Sequence, residues 1–115
     1  MATIRELTQT ALATLSLPVQ AGQYLADTPG GNLPDTYLVH KMVDILPEQH
    51  ADDAETLRNW LVQVNVYSRA DPSQINVIGA MHTAGFTFVD ERDLDPDTES
   101  GHSVIAYDFE YLEEL

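Results

Sequence analysis

Leu57-Arg58-Asn59-Trp60-Leu61-Val62-Gln63-Val64-Asn65-Val66-Tyr67-Ser68 is the stretch whose reading decides the fold. Trp60, Val62, Val64 and Val66 alternate with Leu61, Gln63, Asn65 and Tyr67. Valines at period two mark a strand with one buried face, and Gln63 and Asn65 mark its wetter face. Asp71-Pro72-Ser73-Gln74 follows and announces a helix: Asp71 is a good N-cap, Pro72 suits the first helical position and Gln74 stands at capping-box spacing. Ile75, Ile78, Met81 and His82 continue at helical spacing, Gly79 reads as a close-packing position, and Gly85 is a C-terminal stop. Residues 86–91 read as the next strand. Only this one strand–helix–strand passage exists, and a doubly wound parallel sheet needs several. The expected class is α+β: a mostly antiparallel β-sheet with two α-helices packed on one face, in the order α-β-β-β-α-β-β.

Toward the N-terminus, residues 3–15 read as a helix. Thr3 and Glu6 have capping-box spacing; Ile4, Leu7, Ala11 and Leu15 form an apolar stripe that Leu12 widens; Pro18 stops the run. A short strand is expected at 19–25 and a loop at 27–35, where two prolines and two adjacent glycines cluster. Residues 36–46 read as a second strand with neither face cleanly polar, ended by Pro47, with 48–55 as a connection. Toward the C-terminus, 93–101 reads as an acidic loop and 102–112 as a long final strand, so the last two strands form a hairpin.

The chain has 115 residues, the length of one domain, and such a domain hides roughly two-thirds of its unfolded surface. Hydrophobic residues make up 43 % and charged residues 21 %, which suits a globular chain rather than a disordered one. Five basic residues stand against 19 acidic ones, a net charge of −14. A free nucleic-acid binder needs cations on phosphates, and an anionic membrane surface repels such a chain. The absence of cysteine removes disulfides, thiolate metal sites and a cysteine nucleophile. The N-terminal residues do not read as a signal peptide, and no apolar run approaches the ~20 residues of a membrane helix.

In the acidic loop Asp93, Asp95, Asp97 and Glu99 alternate with Leu94, Pro96 and Thr98. Oxygen ligands at alternate positions suit Ca²⁺, but the sixth position is Thr98 instead of glycine and the twelfth is Val104 instead of glutamate. A solvated hairpin tip is the expected reading. His40, His50, His82 and His102 show no zinc-ligand spacing, and His102 is either an ordinary strand residue or a pH-sensitive contact beside the acidic loop. No serine has a G-x-S-x-G setting, and Gly30-Gly31 leads into Asn32-Leu33-Pro34 with no lysine and no helix start. The expectation is a non-enzyme without cofactor or metal. Tyr107, Phe109 and Tyr111 share one strand face and suit either the core or a contact between subunits. Residues 104–112 would run roughly 30 Å as a strand, against a radius of gyration of ~13 Å for a domain this size. The strand end is therefore a candidate to overhang its own sheet and meet a neighbour.

Leu33-Pro34-Asp35-Thr36-Tyr37-Leu38-Val39, then Ala51-Asp52-Asp53, the Val62-to-Ser68 strand, a helix, an acidic turn, Gly101-His102 and Tyr107-Asp108-Phe109-Glu110-Tyr111 follow one another in this order. The succession, over about 33–115, resembles the tail-terminator or tail-completion proteins of long-tailed bacteriophages. The resemblance implies a structural virion protein with an antiparallel sheet flanked by helices and no catalytic residues. It also implies a self-assembled ring, usually of six subunits, between the tail tube protein and the head-completion or neck protein. DNA passes through such a joint as cargo. Ten acidic residues and one basic residue lie in 90–115, so −9 of the −14 sits there, and Asp93, Asp95, Asp97 and Glu99 are the first candidates to face the channel. The alternative meaning of this charge is solubility of free subunits before assembly. Gly30 and Gly31 mark the 27–35 loop as a second candidate contact element. The contrasting class is an acidic binding module that mimics DNA and occupies a basic nucleic-acid enzyme.

Overall fold

The computed structural model describes residues 3–22, 35–51, 54–97 and 101–114. The chain is α+β, as expected. Helix α1 spans Ile4–Ala13, strand β1 Val19–Ala21, β2 Thr36–Ala51, β3 Ala54–Ser68, helix α2 Val77–Thr83, β4 Thr87–Asp97 and β5 His102–Glu114. The strands form one sheet in the order β1-β2-β3-β5-β4. The β1–β2 pair is parallel and the other three pairs are antiparallel.

The helix ends follow from local chemistry. Thr3 Oγ1 accepts the Glu6 backbone N–H at 3.1 Å and donates to Glu6 Oε1 at 3.1 Å. The carboxylate thus holds the cap hydroxyl, where a full capping box would hold a backbone amide. The single helix expected from Asp71 onward is two pieces. Asp71 caps a 3₁₀ turn over Pro72–Gln74, and Asn76 opens α2 by accepting the Gly79 N–H at 3.1 Å. Two competing caps so close together break one helix into a turn and a helix. A Cβ on Gly79 would stand 2.5 Å from the Asn76 side chain, so the expected close packing there is against this cap. At the other end Phe86 N–H reaches Met81 O and Gly85 N–H reaches His82 O, both at 3.0 Å, with Gly85 at φ +99°. That is the Schellman closure glycine permits.

Both helices lie on one face of the sheet. Ile4, Ala11 and Leu12 of α1 and Val77 and Met81 of α2 share a core with Leu38, Val62, Val64, Val66, Ile105, Tyr107 and Phe109. The registers Val66↔Ile105, Val64↔Tyr107 and Val62↔Phe109 put the β3 valines and the β5 stripe in matched rows.

Three strands run past their expected ends. Beyond Pro47, β2 continues to Ala51, and the expected connection is the far part of a hairpin with Pro47 opposite Arg58 and Ala51 opposite Ala54. β1 covers only Leu38 to His40, so among the described residues this part of β2 is a sheet edge, and a register shift lies between Pro47 and Gln49. Edges and bulges are where a strand tolerates proline. β4 likewise runs on to Asp97, with Pro96 inside a register shift between Leu94 and Asp97. β5 ends at Glu114. It does not overhang: β3 accompanies it from Ser103 to Glu114. The elongation lies in the β2–β3 hairpin, and the molecule measures 53 × 27 × 22 Å with a radius of gyration of 15.6 Å.

Phe109 is fully buried and Leu112, three residues on, is 57 % exposed. Phe109→Ala is expected to cost about 3–5 kcal/mol by urea denaturation, and Leu112→Ala within about 0.5 kcal/mol. Equal small losses would contradict this placement of the core.

Candidate functional site

The most charged element is the outer edge of the sheet. β4 carries Asp90, Glu91, Asp93, Asp95 and Asp97 against the single Arg92. An edge strand keeps its carboxylates in water, which is why so acidic a segment forms a strand instead of the expected loop: β5 supplies the backbone partners while solvent takes the charges. Arg92 Nη1 donates to Asp108 Oδ2 at 2.6 Å and to Asp90 Oδ2 at 3.2 Å. These hydrogen bonds hold its pKa above the usual arginine value.

Below this edge sits Tyr107, 3 % exposed and opposite Glu91 in the ladder. Burial, then the Glu91, Asp93 and Asp71 carboxylates, push its hydroxyl up to about 12. Asp71 is held low by the hydrogen bonds it accepts from the Ser73 hydroxyl, 2.7 Å, and the Ser73 backbone N–H, 3.0 Å. Asp71, Ser73, Asp93 and Pro96 line a shallow recess beside the end of β4. Its two carboxylates, Asp71 and Asp93, make it a surface that repels anions. Among the described residues, no group of three or more His, Asp or Glu side chains converges as metal ligands would. No described helix is long and apolar enough to cross a membrane.

The sequence candidates separate as follows. Asp93 and Asp95 stand exposed on β4, and Asp97 ends it, so these three belong to a strand and not to a loop. Glu99, Gly30 and Gly31 lie outside the described residues. Tyr107 and Phe109 are core residues of their own chain, 3 % and 0 % exposed, and so are unavailable to another subunit. Tyr111 is half-buried with its ring 5.0 Å from Phe86. His102 is fully buried on the helix-free face, edge-on to Tyr37 at 5.1 Å, and Tyr37 stacks on Tyr67 at 4.6 Å. It is packed in an aromatic group, and in the ladder it stands opposite Asp97 at the end of the acidic strand.

Two arrangements escaped the sequence. The cations Arg5 and Lys41 make no ion pair among the described residues, whereas Arg69 is bound to Asp35 at 2.8 Å and Arg58 lies 5.7 Å above the Trp60 ring. The other is a buried polar relay. His40 Nε2 donates to Gln9 Oε1 at 2.7 Å, and Gln9 Nε2 donates to Val19 O at 3.2 Å, tying α1, β1 and β2 together. The mixed faces of β2 were the available signal, but the partner thirty-one positions away was not readable. No protein-family model matches the chain, and no curated protein matches it.

Burial, and then the nearby Arg5 charge, lower the pKa of His40 below its ordinary 6.5. The unfolded chain therefore binds a proton here that the folded chain refuses. This stabilisation is complete above the unfolded value and is lost as pH falls below about 6.5 toward the folded value. Urea denaturation at pH 7.5 and pH 5.0 is expected to show a larger drop for the wild type than for His40→Gln. Identical drops would exclude His40 as a source of the acid sensitivity.

Proposed function

We propose that this chain is a structural subunit of a long-tailed bacteriophage virion. In this reading, copies made in the host cytoplasm assemble as a ring, six by the resemblance, on the head-facing end of the tail tube. The ring stops tube growth and joins the tail to the head-completion or neck protein. The observation that carries it is the ordered succession over 33–115, and the fold class it implies is that of this chain. An elongated sheet whose outer strands among the described residues are the short β1 and the acidic β4 also suits a subunit that presents surfaces to neighbours. The test is a phage lacking this chain: tails of irregular length that fail to join capsids are expected, restored by the chain supplied in trans. Tails of normal length on full capsids would overturn the reading.

The acidic strand then lines the DNA path, where carboxylates let phosphates pass and lysines would hold them. Replacing Asp93, Asp95, Asp97 and Glu99 with their amides is expected to slow DNA ejection from assembled virions. Unchanged ejection kinetics would count against a channel role for β4.

One observation favours a second reading. Asp90, Glu91, Asp93 and Asp95 stand exposed on a single edge strand, an anionic surface of the kind a DNA mimic presents. A stable monomer that inhibits a nuclease would support it, and ring or cap formation would exclude it.

A further inference from the structure

We propose that two copies of this chain pair through the outer surface of α1 and α2, helix layer against helix layer, about a two-fold axis. This goes beyond the ring reading and does not rest on it, because a two-fold contact closes at two copies and builds no ring.

Charge singles this surface out. Residues 7–22 and 72–89 carry α2 and all but the first turn of α1. They contain none of the 5 basic and 19 acidic residues of the chain. A helix on the outside of a domain ordinarily turns charged side chains to water. Here the exposed side chains are Thr10, Ala13 and Thr14 at α1 and Ile78, His82 and Thr83 on α2. Ile78, 37 % exposed, is the largest apolar side chain that either helix leaves in water. Between the helices runs a groove lined by Leu7, Ala11 and Ala80, again without charge. The helix-free face, by contrast, bears Lys41, Asp90, Arg92 and Asp108 in its rows. Depletion of charge is the compositional mark of an interface core.

The same charge pattern names the occupant. A cationic partner would gain more on the carboxylates of β4, where opposite charges attract. A surface cleared of charge serves a partner of the same sign, which can approach there without setting carboxylate against carboxylate. A second copy, itself at −14, is that partner. Its own helix layer is the counterpart that buries no charge, and burying an unpaired charge is costly. A surface that matches itself makes an isologous, two-fold contact. Each copy brings both a groove and an Ile78, so each Ile78 side chain can be covered by the other copy. Helices of ten and seven residues offer a small area, and interfaces at the low end of the size range are weak. The pair therefore forms at high protein concentration.

Sedimentation equilibrium of the full chain tests this. In ~0.15 M NaCl, monomers are expected to pass into dimers between ~10 μM and ~1 mM, the range of weak contacts. Lowering the salt to ~0.01 M lengthens the screening distance from about 8 to about 30 Å, so the two negative bodies repel more and the pair weakens severalfold. A contact between opposite charges would strengthen instead. Thr83→Glu, which puts a carboxylate into the contact from each copy, is expected to weaken the dimer at least tenfold. Thr83→Gln, nearly the same size without the charge, is expected to dimerise as the wild type does, which separates charge from misfolding. Leu112→Glu adds the same charge outside the helix layer and is expected to leave the dimer intact. A chain still monomeric at ~1 mM, a dimer that low salt strengthens, or a Thr83→Glu chain that dimerises normally overturns the proposal. Dimers with the expected salt and Thr83 responses, from a chain that never caps tail tubes, uphold the pair while the ring reading falls.

Discussion

Val62, Val64 and Val66 are each 2 % exposed or less, on a strand flanked on both sides. Their burial is the constraint from which the architecture follows. They need a row of apolar neighbours on β5, and Ile105, Tyr107 and Phe109 provide it in register. They need a lid, and the apolar stripes of α1 and α2 provide that. A slip of one residue in β3 would carry the valines to the helix-free face and Gln63 and Asn65 into the core. The register is thus set by hydrophobic burial, and it aligns every row out to the edges.

That alignment links the core to the surface chemistry. Rows that begin as packing between Val62 and Phe109 end as exposed Met42 and Phe88, and the neighbouring row ends as Lys41 and Asp90. The acidic strand can exist because it is an edge: its backbone is satisfied on one side by β5, and water solvates its carboxylates. Buried in a central strand, the same five acids would cost far more than the ladder returns. Acidity, edge position and candidate function share one physical cause.

Much of the fold was legible. Alternation in 57–68, the cap Thr3, the stop at Gly85 and the stripe from Ile105 to Tyr111 are local signals, and each found its place, whereas Asp71 caps a 3₁₀ turn and Asn76 opens α2. The misses have local causes too. Pro47 read as a strand end and Pro96 as part of a loop, yet an edge strand spares the hydrogen bond proline lacks. Tyr107 and Phe109 suited core and interface equally by composition, and only their position under the helices decided for the core.

By itself the sequence determined the class α+β, the order of elements, the buried face of the central strand and the strongly negative charge, because periodicity, caps and ionisable groups are properties of short stretches. Tertiary structure alone decided which strand stands beside which. It made β4 an edge, brought Gln9 to His40, and placed Lys41 and Asp90 at opposite ends of one row. Those facts depend on pairings between residues far apart in the chain, and a long-range pairing is selected by the summed burial of the whole sheet.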